Sequence, residues 1–205
     1  MLQVTREDVN KAGLDFLLVG VGGQGTIMAS NILAEAGLNM GFDVKKAEIH
    51  GMSQRGGSVI SQLRWGNKVY SPIVPEGEAS FLIAFEKLEA ARHIKGLKRN
   101  GIVLVNDQKL PPLTVSAGDA AYPSDESIGR AIRDKTDQIY WISAFQLAEE
   151  LGDSRTANTL MIGALSVFIS ATTEPWIDAI QKRVPEKYYA INLKAFEIGR
   201  EFSNK

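Results

Sequence analysis

Short apolar segments, separated by stretches with helical patterns, run along most of the chain. The clearest is Leu14–Val21 (LDFLLVGV), an apolar, β-branched segment that ends in glycines, as buried parallel strands commonly do. Similar segments predict strands over residues 44–49, 81–85, 102–105 and 139–142. Residues 58–65 instead alternate between apolar and polar positions, which favours a β-hairpin with residues 68–71 through a Gly-Asn turn at 66–67.

Helical patterns fill the intervals between the predicted strands and dominate the C-terminal part of the chain. They predict helices over residues 24–40, 86–95, 143–151 and 156–170, and two more that begin at Pro175 and Pro185. Ser143, with Gln146 three positions later, matches a capping box. Gly152 is placed to end the helix that this box would begin.

The order of these elements predicts the fold class. Strands that alternate with helices are typical of a three-layer α/β/α, Rossmann-like domain with a mostly parallel sheet. We predict a single domain over residues 1–205, with a core of about 12–170 and a helical C-terminal section of about 171–205.

Two predicted helices are apolar on nearly all sides. They are the helix of residues 24–40 and the segment 160–169. A helix of this kind is either buried in the core or covered by another subunit, and the sequence leaves both interpretations open. Glu86, Glu89 and His93, by contrast, are expected on a solvent-exposed helix face.

The composition excludes several classes of function. The net charge is −1, from 23 basic and 24 acidic side chains, so no polycationic surface for nucleic acid or an anionic membrane is expected. The chain has no cysteine, which excludes disulfides, a thiol nucleophile and any zinc or iron–sulfur site ligated by its own cysteines. Its two histidines, His50 and His93, are too few for a multi-histidine metal centre.

Hydropathy also bears on location. Residues 1–11 are polar and lack the apolar core of a signal peptide. The longest apolar segments are much shorter than the roughly 20 residues that a membrane-spanning helix needs. We therefore expect a soluble, cytoplasmic protein.

A glycine-rich turn, GVGGQG, lies directly after the first predicted strand and before the first predicted helix. This G-x-G-x-x-G pattern presents backbone N–H groups and a helix N-terminus to a phosphate or diphosphate. Its candidate binding residues are Gly20, Gly22, Gly23, Gln24 and Gly25. Glu48, near the end of the second predicted strand, is available as the ribose-binding acid of a dinucleotide site. Alternatively, the glycines serve only to let the following helix pack close to the sheet. The motif is not a P-loop, because Thr26 stands where a P-loop has its phosphate-binding lysine.

The second candidate is the polar loop HGMSQRGG, residues 50–57, at the end of the second predicted strand. Loops at the carboxyl ends of neighbouring strands line the ligand crevice of an α/β sheet, so we expect this loop beside the glycine turn. Its candidate residues are His50, Ser53, Gln54 and Arg55. Arg55 can form a fork with a phosphate or carboxylate, whereas His50 is a candidate for proton transfer or a purely structural histidine.

Taken together, five segments resemble one family. GVGGQG, HGMSQRGG, VYSPIVPEGEASFLIAFEKLEAAR, GIVLVND and NTLMIGAL resemble, in the same order and over about residues 12–170, the gamma-subunit (domain III) family of 2-oxoacid:ferredoxin oxidoreductases. The likeness is greatest to the branch that acts on indolepyruvate and other aryl pyruvates. The resemblance implies oxidative decarboxylation of a small 2-oxo acid with coenzyme A, giving an acyl-CoA, carbon dioxide and reduced ferredoxin.

The resemblance also implies how the work is divided between subunits. Thiamine diphosphate and [4Fe–4S] clusters are expected on a larger alpha subunit, through which ferredoxin is reduced, so this chain is expected to be inactive alone. The glycine turn, the second loop and Asn158 of the NTLMIGAL segment match the family's motifs, and coenzyme A is expected to contact this chain. No metal ion is expected on it.

Two other functions are compatible with the residues. A self-contained NAD(P)-dependent dehydrogenase would use the same glycine turn, with Glu48 on the ribose. A non-enzymatic assembly module would use the apolar helices as its interfaces.

Overall fold

The computed structural model describes residues 3–50, 57–118 and 120–202, with His50, Leu113, Thr114 and Phe202 described by their backbones alone. The strands are β1 Leu14–Val21, β2 Asp43–His50, β3 Ser58–Gly66, β4 Ala79–Ala84, β5 Leu97–Asn106 and β6 Ile139–Ile142. The helices are α1 Arg6–Ala12, α2 Thr26–Asn39, α3 Lys87–His93, α4 Leu113–Ser116, α5 Asp125–Arg133, α6 Ala144–Leu151, α7 Ala157–Ser166, α8 Glu174–Arg183 and α9 Glu186–Phe202. Short 3₁₀ turns, Ile94–Gly96 and Ser154–Thr156, follow α3 and precede α7.

One sheet with the order β2-β3-β1-β4-β5-β6 forms the middle layer. β1, β4, β5 and β6 are neighbours in parallel pairs. β3 is antiparallel to both β1 and β2, so β2 runs in the same direction as β1. The predicted α/β fold with a mostly parallel sheet is confirmed.

Helices cover the two faces of this sheet and bury a core on each. On one face, Phe16 and Leu18 of β1 pack in a cluster with residues of α2, α6, α7, α8 and α9. On the other face, Leu17 and Val19 pack with residues of α3 and α5. The chain therefore passes from β1 to a helix on one face and from β4 to a helix on the other. Neighbouring strands that diverge in this way leave a crevice at their carboxyl ends, where α/β proteins bind ligands.

The predicted hairpin of residues 58–65 with 68–71 is wrong. β3 forms its hairpin with β2 instead, with His50 opposite Val59 and Asp43 opposite Gly66. Because β1 pairs with the other edge of β3, no edge remains for residues 68–71. Val69 instead donates its N–H to Oδ2 of Asp43, at 2.9 Å.

The predicted capping box at the start of α6 does not form. The helix is present, and Gly152 ends it in the left-handed conformation, with φ at 106°. Ser143, however, makes no side-chain cap hydrogen bond. Asn106, at the end of β5, takes its place and accepts a bond from the N–H of Phe145 at 3.1 Å. A neighbouring strand thus provides the cap that the local sequence predicted from Ser143.

The apolar helices are central core elements. Every residue of α7 is buried, and α9 lies against it. Eight of the fourteen residues of α2 are buried, whereas Ile27 and Leu38 remain 37% and 50% exposed. α8 is tied to α2 because Lys182 and Arg183 both donate to the buried carboxylate of Glu35, at 2.5 Å each. Among the described residues, no helix combines the length and apolarity needed to cross a membrane.

Candidate active site

A cavity of about 580 Å³ lies at the carboxyl ends of the parallel strands. The glycine turn after β1 forms one side of it, and Phe85 and Asn106 at the ends of β4 and β5 form the floor. Phe145 at the start of α6 adds an apolar wall. Arg155, in the turn before α7, and Asn158, in the first turn of α7, complete the lining beside the glycine turn. The lining therefore comes from the glycine turn, from the ends of β4 and β5, and from the segments that begin α6 and α7.

The glycine turn has a backbone shape that requires glycine at two positions. Gly23 and Gly25 have φ angles of 107° and 79°, in the left-handed region that other residues rarely adopt. A methyl group on Gly25 would collide with the side-chain amide of Asn158. Gly25 is also the N-cap of α2 and offers no side chain to the helix. The positive end of the α2 dipole is therefore left available to an anion in the cavity.

The side chain of Gln24 holds this turn in place. Its Oε1 accepts a bond from the N–H of Val21 at 2.8 Å, and its Nε2 donates to the carbonyl of Phe85 at 2.7 Å. Nε2 also lies 2.9 Å from Oε1 of Gln108. The amide thus joins the turn to the ends of β4 and β5. The predicted contact of Gln24 with a cofactor stays a prediction.

The C-terminal end of the second loop lies against the glycine turn. Gly22 donates its N–H to the carbonyl of Gly57 at 2.8 Å, and Val21 pairs with Ser58. Ser53, Gln54 and Arg55 lie outside the described residues, as does the side chain of His50. Their proposed roles stay predictions.

The expectation of a solvated face for Glu86, Glu89 and His93 is wrong. Glu86 is 1% exposed and Glu89 is 2% exposed. Glu86 is the N-cap of α3 and accepts the N–H of Glu89 at 2.9 Å. Its other oxygen accepts the N–H of Leu110 and the hydroxyl of Tyr122. Burial, and then the carboxylate of Glu86, raise the pKa of Tyr122 well above its usual value.

Glu89 connects α3 to the base of the second loop. Its carboxylate accepts the hydroxyl of Ser58 and Nη1 of Arg92, the latter at 2.8 Å, and lies 3.5 Å from Nε2 of His93. Burial acts to raise the pKa of Glu89, but hydrogen bonds from His93, Ser58 and Arg92 outweigh it and hold that pKa below its usual value. Ser58 is thereby fixed where the second loop returns to the sheet.

Glu48 does not stand where a dinucleotide site needs its acid. It lies on β2, and the whole of β3 separates β2 from the strand that carries the glycine turn. At roughly 4.8 Å per strand, the two are about 10 Å apart. Glu48 also forms an ion pair with Lys46 at 2.6 Å. The geometry therefore does not favour the dehydrogenase hypothesis.

The family motif predicts Asn158 as a site residue, whereas the sequence analysis does not single out Arg155, which also lines the cavity. Asn158 is 7% exposed, and its Nδ2 lies 3.5 Å from the carbonyl of Gly25. Arg155 lies in the 3₁₀ turn before α7, where its Nε and Nη2 grip the carboxylate of Asp153 at 2.8 and 2.5 Å. An Asp-Ser-Arg sequence directly after the helix-ending Gly152 is the local signal that could have indicated it.

Chemically, the cavity is an anion-binding crevice with apolar walls. Helix dipole, backbone amides, Asn158 and Arg155 favour a negatively charged group, while Phe85 and Phe145 suit an apolar one. Within residues 3–50, 57–118 and 120–202, no three acidic or histidine side chains are arranged to hold a metal ion.

Comparison with known proteins gives one consistent family. The sequence model of the family described as "Pyruvate ferredoxin/flavodoxin oxidoreductase" matches residues 15–202. The chain is 41% identical over 188 residues to "Indolepyruvate oxidoreductase subunit IorB" of Pyrococcus horikoshii, covering 90% of this chain and 93% of that protein. The resemblance seen in the motifs is thereby confirmed.

Two solved structures share the fold. One is a keto/oxoacid ferredoxin oxidoreductase gamma subunit from Geobacter sulfurreducens, with a TM-score of 0.69 and 23% identity over 93% of this chain and 98% of that one. The other is the 2-oxoglutarate:ferredoxin oxidoreductase of Magnetococcus marinus with 2-oxoglutarate, coenzyme A and succinyl-CoA bound. It has a TM-score of 0.71 and 18% identity, over 94% of this chain and 31% of that chain.

Proposed function

The chain belongs to the pyruvate ferredoxin/flavodoxin oxidoreductase family as a gamma-type, IorB-like subunit, and from this premise we propose that it forms part of an indolepyruvate ferredoxin oxidoreductase. The enzyme would oxidatively decarboxylate indolepyruvate or a related aryl pyruvate with coenzyme A. Its products would be the acyl-CoA, carbon dioxide and reduced ferredoxin. The 41% identity to an indolepyruvate oxidoreductase subunit supports this substrate class.

We further propose that the cavity at the carboxyl ends of β1, β4 and β5 binds coenzyme A. One observation carries this proposal: the α2 N-terminus, left without a side-chain cap at Gly25, borders a cavity of about 580 Å³ beside the buried amide of Asn158. Backbone N–H groups at such a terminus suit the diphosphate of coenzyme A. The apolar walls at Phe85 and Phe145 suit its pantetheine arm.

The rest of the chemistry is assigned to a larger alpha subunit. Because this chain has no cysteine, it cannot hold [4Fe–4S] clusters through its own thiolates. Thiamine diphosphate, bound by the partner, would supply the carbanion stabilisation that decarboxylation requires. The present chain would orient coenzyme A, exclude water and bind anionic groups near the glycine turn. His50 remains the candidate for proton transfer on this chain.

The test is a substrate panel on the complex of this chain with its larger subunit, with coenzyme A and a ferredoxin-type acceptor. We expect aryl 2-oxo acids to have the highest kcat/KM and the isolated chain to show no turnover. Preference for a short or branched 2-oxo acid would contradict the indolepyruvate assignment. Turnover by the isolated chain would contradict the division between subunits.

A matched pair of glycine variants tests the coenzyme A site. Gly25→Ala should raise the KM for coenzyme A by about tenfold, since the methyl group collides with the amide of Asn158. Gly118→Ala is the control, because Gly118 has a similar φ of 86° with nothing within 4 Å of the added carbon. An equal KM for coenzyme A in both variants would show that the cavity does not bind it.

A further inference from the structure

The C-terminal helix α9 contributes a positively charged cluster next to the cavity. Its first turn carries Lys187 and Tyr188, and Tyr188 meets Arg155 from the turn before α7. The guanidinium carbon of Arg155 lies 4.7 Å from the centre of the Tyr188 ring, and Nζ of Lys187 lies 4.6 Å from the same centre. Two cations are thus gathered around one aromatic ring. We name Arg155, Lys187 and Tyr188 the rim cluster.

Asp153 fixes the guanidinium without using all of its donors. The two bonds from Arg155 to this carboxylate are made by Nε and Nη2. A guanidinium has five N–H donors, so the bonds to Asp153 leave donors for other partners. The side chain of Arg155 is 68% exposed, so these donors are accessible from solvent. The rim cluster therefore offers a pre-oriented fork.

The positive charge of the rim cluster is not fully balanced. Asp153 pairs with Arg155, but no carboxylate among the described residues forms an ion pair with the exposed Lys187. Hydrogen bonds from Lys187 and then Arg155, followed by their positive charges, hold the pKa of Tyr188 below its usual value. An anion at this place would be attracted by both cations.

Arg155 of the rim cluster and the glycine turn border the same cavity. Arg155 lines the cavity that is also lined by Gly22, Gly23 and Gly25. A ligand that fills it would meet one positive region at the start of α2 and a second at Arg155. Coenzyme A carries two separate anionic groups, a diphosphate in its middle and a 3′-phosphate on its adenosine.

We propose that Arg155 and Lys187 bind the 3′-phosphate of coenzyme A while its diphosphate lies at the glycine turn. This assignment rests on the proposed function. It gives the C-terminal helix a specific task, since Lys187 comes from α9 and only Arg155 from the core. Arginine suits the task because its planar fork matches phosphate oxygens, and lysine adds a mobile point charge.

The test compares coenzyme A with dephospho-coenzyme A, which lacks only the 3′-phosphate, in steady-state assays of the complex. We expect Arg155→Gln/Lys187→Gln to raise the KM for coenzyme A by about tenfold or more and the KM for dephospho-coenzyme A by less than about twofold, at unchanged kcat. With lysine instead of glutamine at position 155 (Arg155→Lys), part of the affinity for coenzyme A should be retained. Lys194→Gln is the control: it removes an exposed lysine about 10 Å further along α9 and should change neither KM.

A second measurement uses competitive inhibitors rather than turnover of the cofactor. Adenosine 3′,5′-bisphosphate should inhibit the wild-type complex more strongly than adenosine 5′-monophosphate, and the double variant should lose this difference. Equal changes in KM for both forms of coenzyme A would overturn the proposal. So would a rise confined to the KM for ferredoxin, because it would mark the rim cluster as an acceptor-docking surface. Absence of coenzyme A-dependent turnover in the wild-type complex would instead contradict the proposed function itself.

Discussion

The glycine turn and the crossing of α7 with α9 both depend on residues without a side chain, but for opposite reasons. A methyl group on Gly23 would meet nothing within 4 Å, and this glycine is required because its φ is 107°. Gly163 and Gly199 have ordinary helical backbones, and methyl groups there would collide with the carbonyls of Phe196 and Leu160. In the turn, glycine permits a conformation, whereas in the crossing it permits two helices to touch.

The two regions also treat polar groups differently. Around the turn, Asn158 and Arg155 line a cavity with an amide and a guanidinium, and the amide of Gln24 holds the turn itself. Around the crossing, α7 is buried along its whole length. In the neighbouring α8, Lys182 and Arg183 both bind one buried carboxylate, Glu35. We therefore expect stability to depend mainly on the helical side and the proposed ligand binding to depend mainly on the turn. Variants that change one property and not the other test this division.

The largest loss of stability is expected for Gly163→Ala. Because a methyl group there meets the backbone of α9 rather than a flexible side chain, the helices must separate, at a cost of about 3 kcal/mol in the free energy of unfolding. Gly129→Ala in α5 is the control, since its methyl group meets only the end of Arg133. It should be neutral or stabilising by up to about 1 kcal/mol. Urea denaturation of both variants measures the difference, and equal stability would refute the close-packing explanation.

An intermediate loss, about 2 kcal/mol at pH 7, is expected for Glu35→Gln, which leaves Lys182 and Arg183 without their buried partner. Hydrogen bonds from Lys182 and then Arg183 lower the pKa of Glu35 in the folded protein. The carboxylate therefore stabilises the fold above the ordinary glutamate pKa of about 4.3, and this contribution is lost as the pH falls through the lowered value.

The difference in unfolding free energy between wild type and Glu35→Gln should thus shrink as the pH is reduced from 7 toward 3. Glu126→Gln is the control, because Glu126 forms an exposed pair with Arg130 at 3.0 Å. Such a pair contributes less than about 0.5 kcal/mol. A pH-independent difference for Glu35→Gln would argue that packing, and not charge, holds α8 to α2.

The smallest loss of stability, about 1 kcal/mol, is expected for Gln24→Met, which keeps the side-chain length but removes the bonds to Val21 and Phe85. This variant should nevertheless raise the KM for coenzyme A by about fivefold, since the turn is no longer tied to β4. Gln146→Met, at an exposed position of α6, is the control and should change neither quantity. A stability loss for Gln24→Met that exceeds the loss for Gly163→Ala would reverse the proposed division.

The elements that the sequence predicts correctly are those fixed by local pattern. Leu14–Val21 is a strand with the predicted bounds, because its apolar residues face cores on both sides of the sheet. The glycine turn follows it directly, and Pro175 lies in the first turn of α8 as expected. Each of these features depends on neighbouring residues in the chain, so the pattern of hydrophobic and special residues suffices.

The elements that the sequence misses depend on partners far away in the chain. In the sequence, Glu86 and Glu89 resemble exposed helix residues. In the fold, Glu89 accepts a hydrogen bond from Ser58, and Glu86 accepts hydrogen bonds from Leu110 and Tyr122, all in other segments. The pairing of β3 with both β1 and β2 is equally non-local. In the same way, the rim cluster joins two segments more than thirty residues apart, which no local motif indicates.

The order in which a ribosome releases the chain gives the cavity a further property. Its lining begins at Gly22 and is complete only with Asn158, so the turn is synthesised long before the wall formed by residues 154–158. A nascent chain that stops before α7 therefore has the glycine motif but no enclosed site. A ligand that needs both walls stabilises only the finished domain, by mass action, and so distinguishes completed molecules from partly made ones.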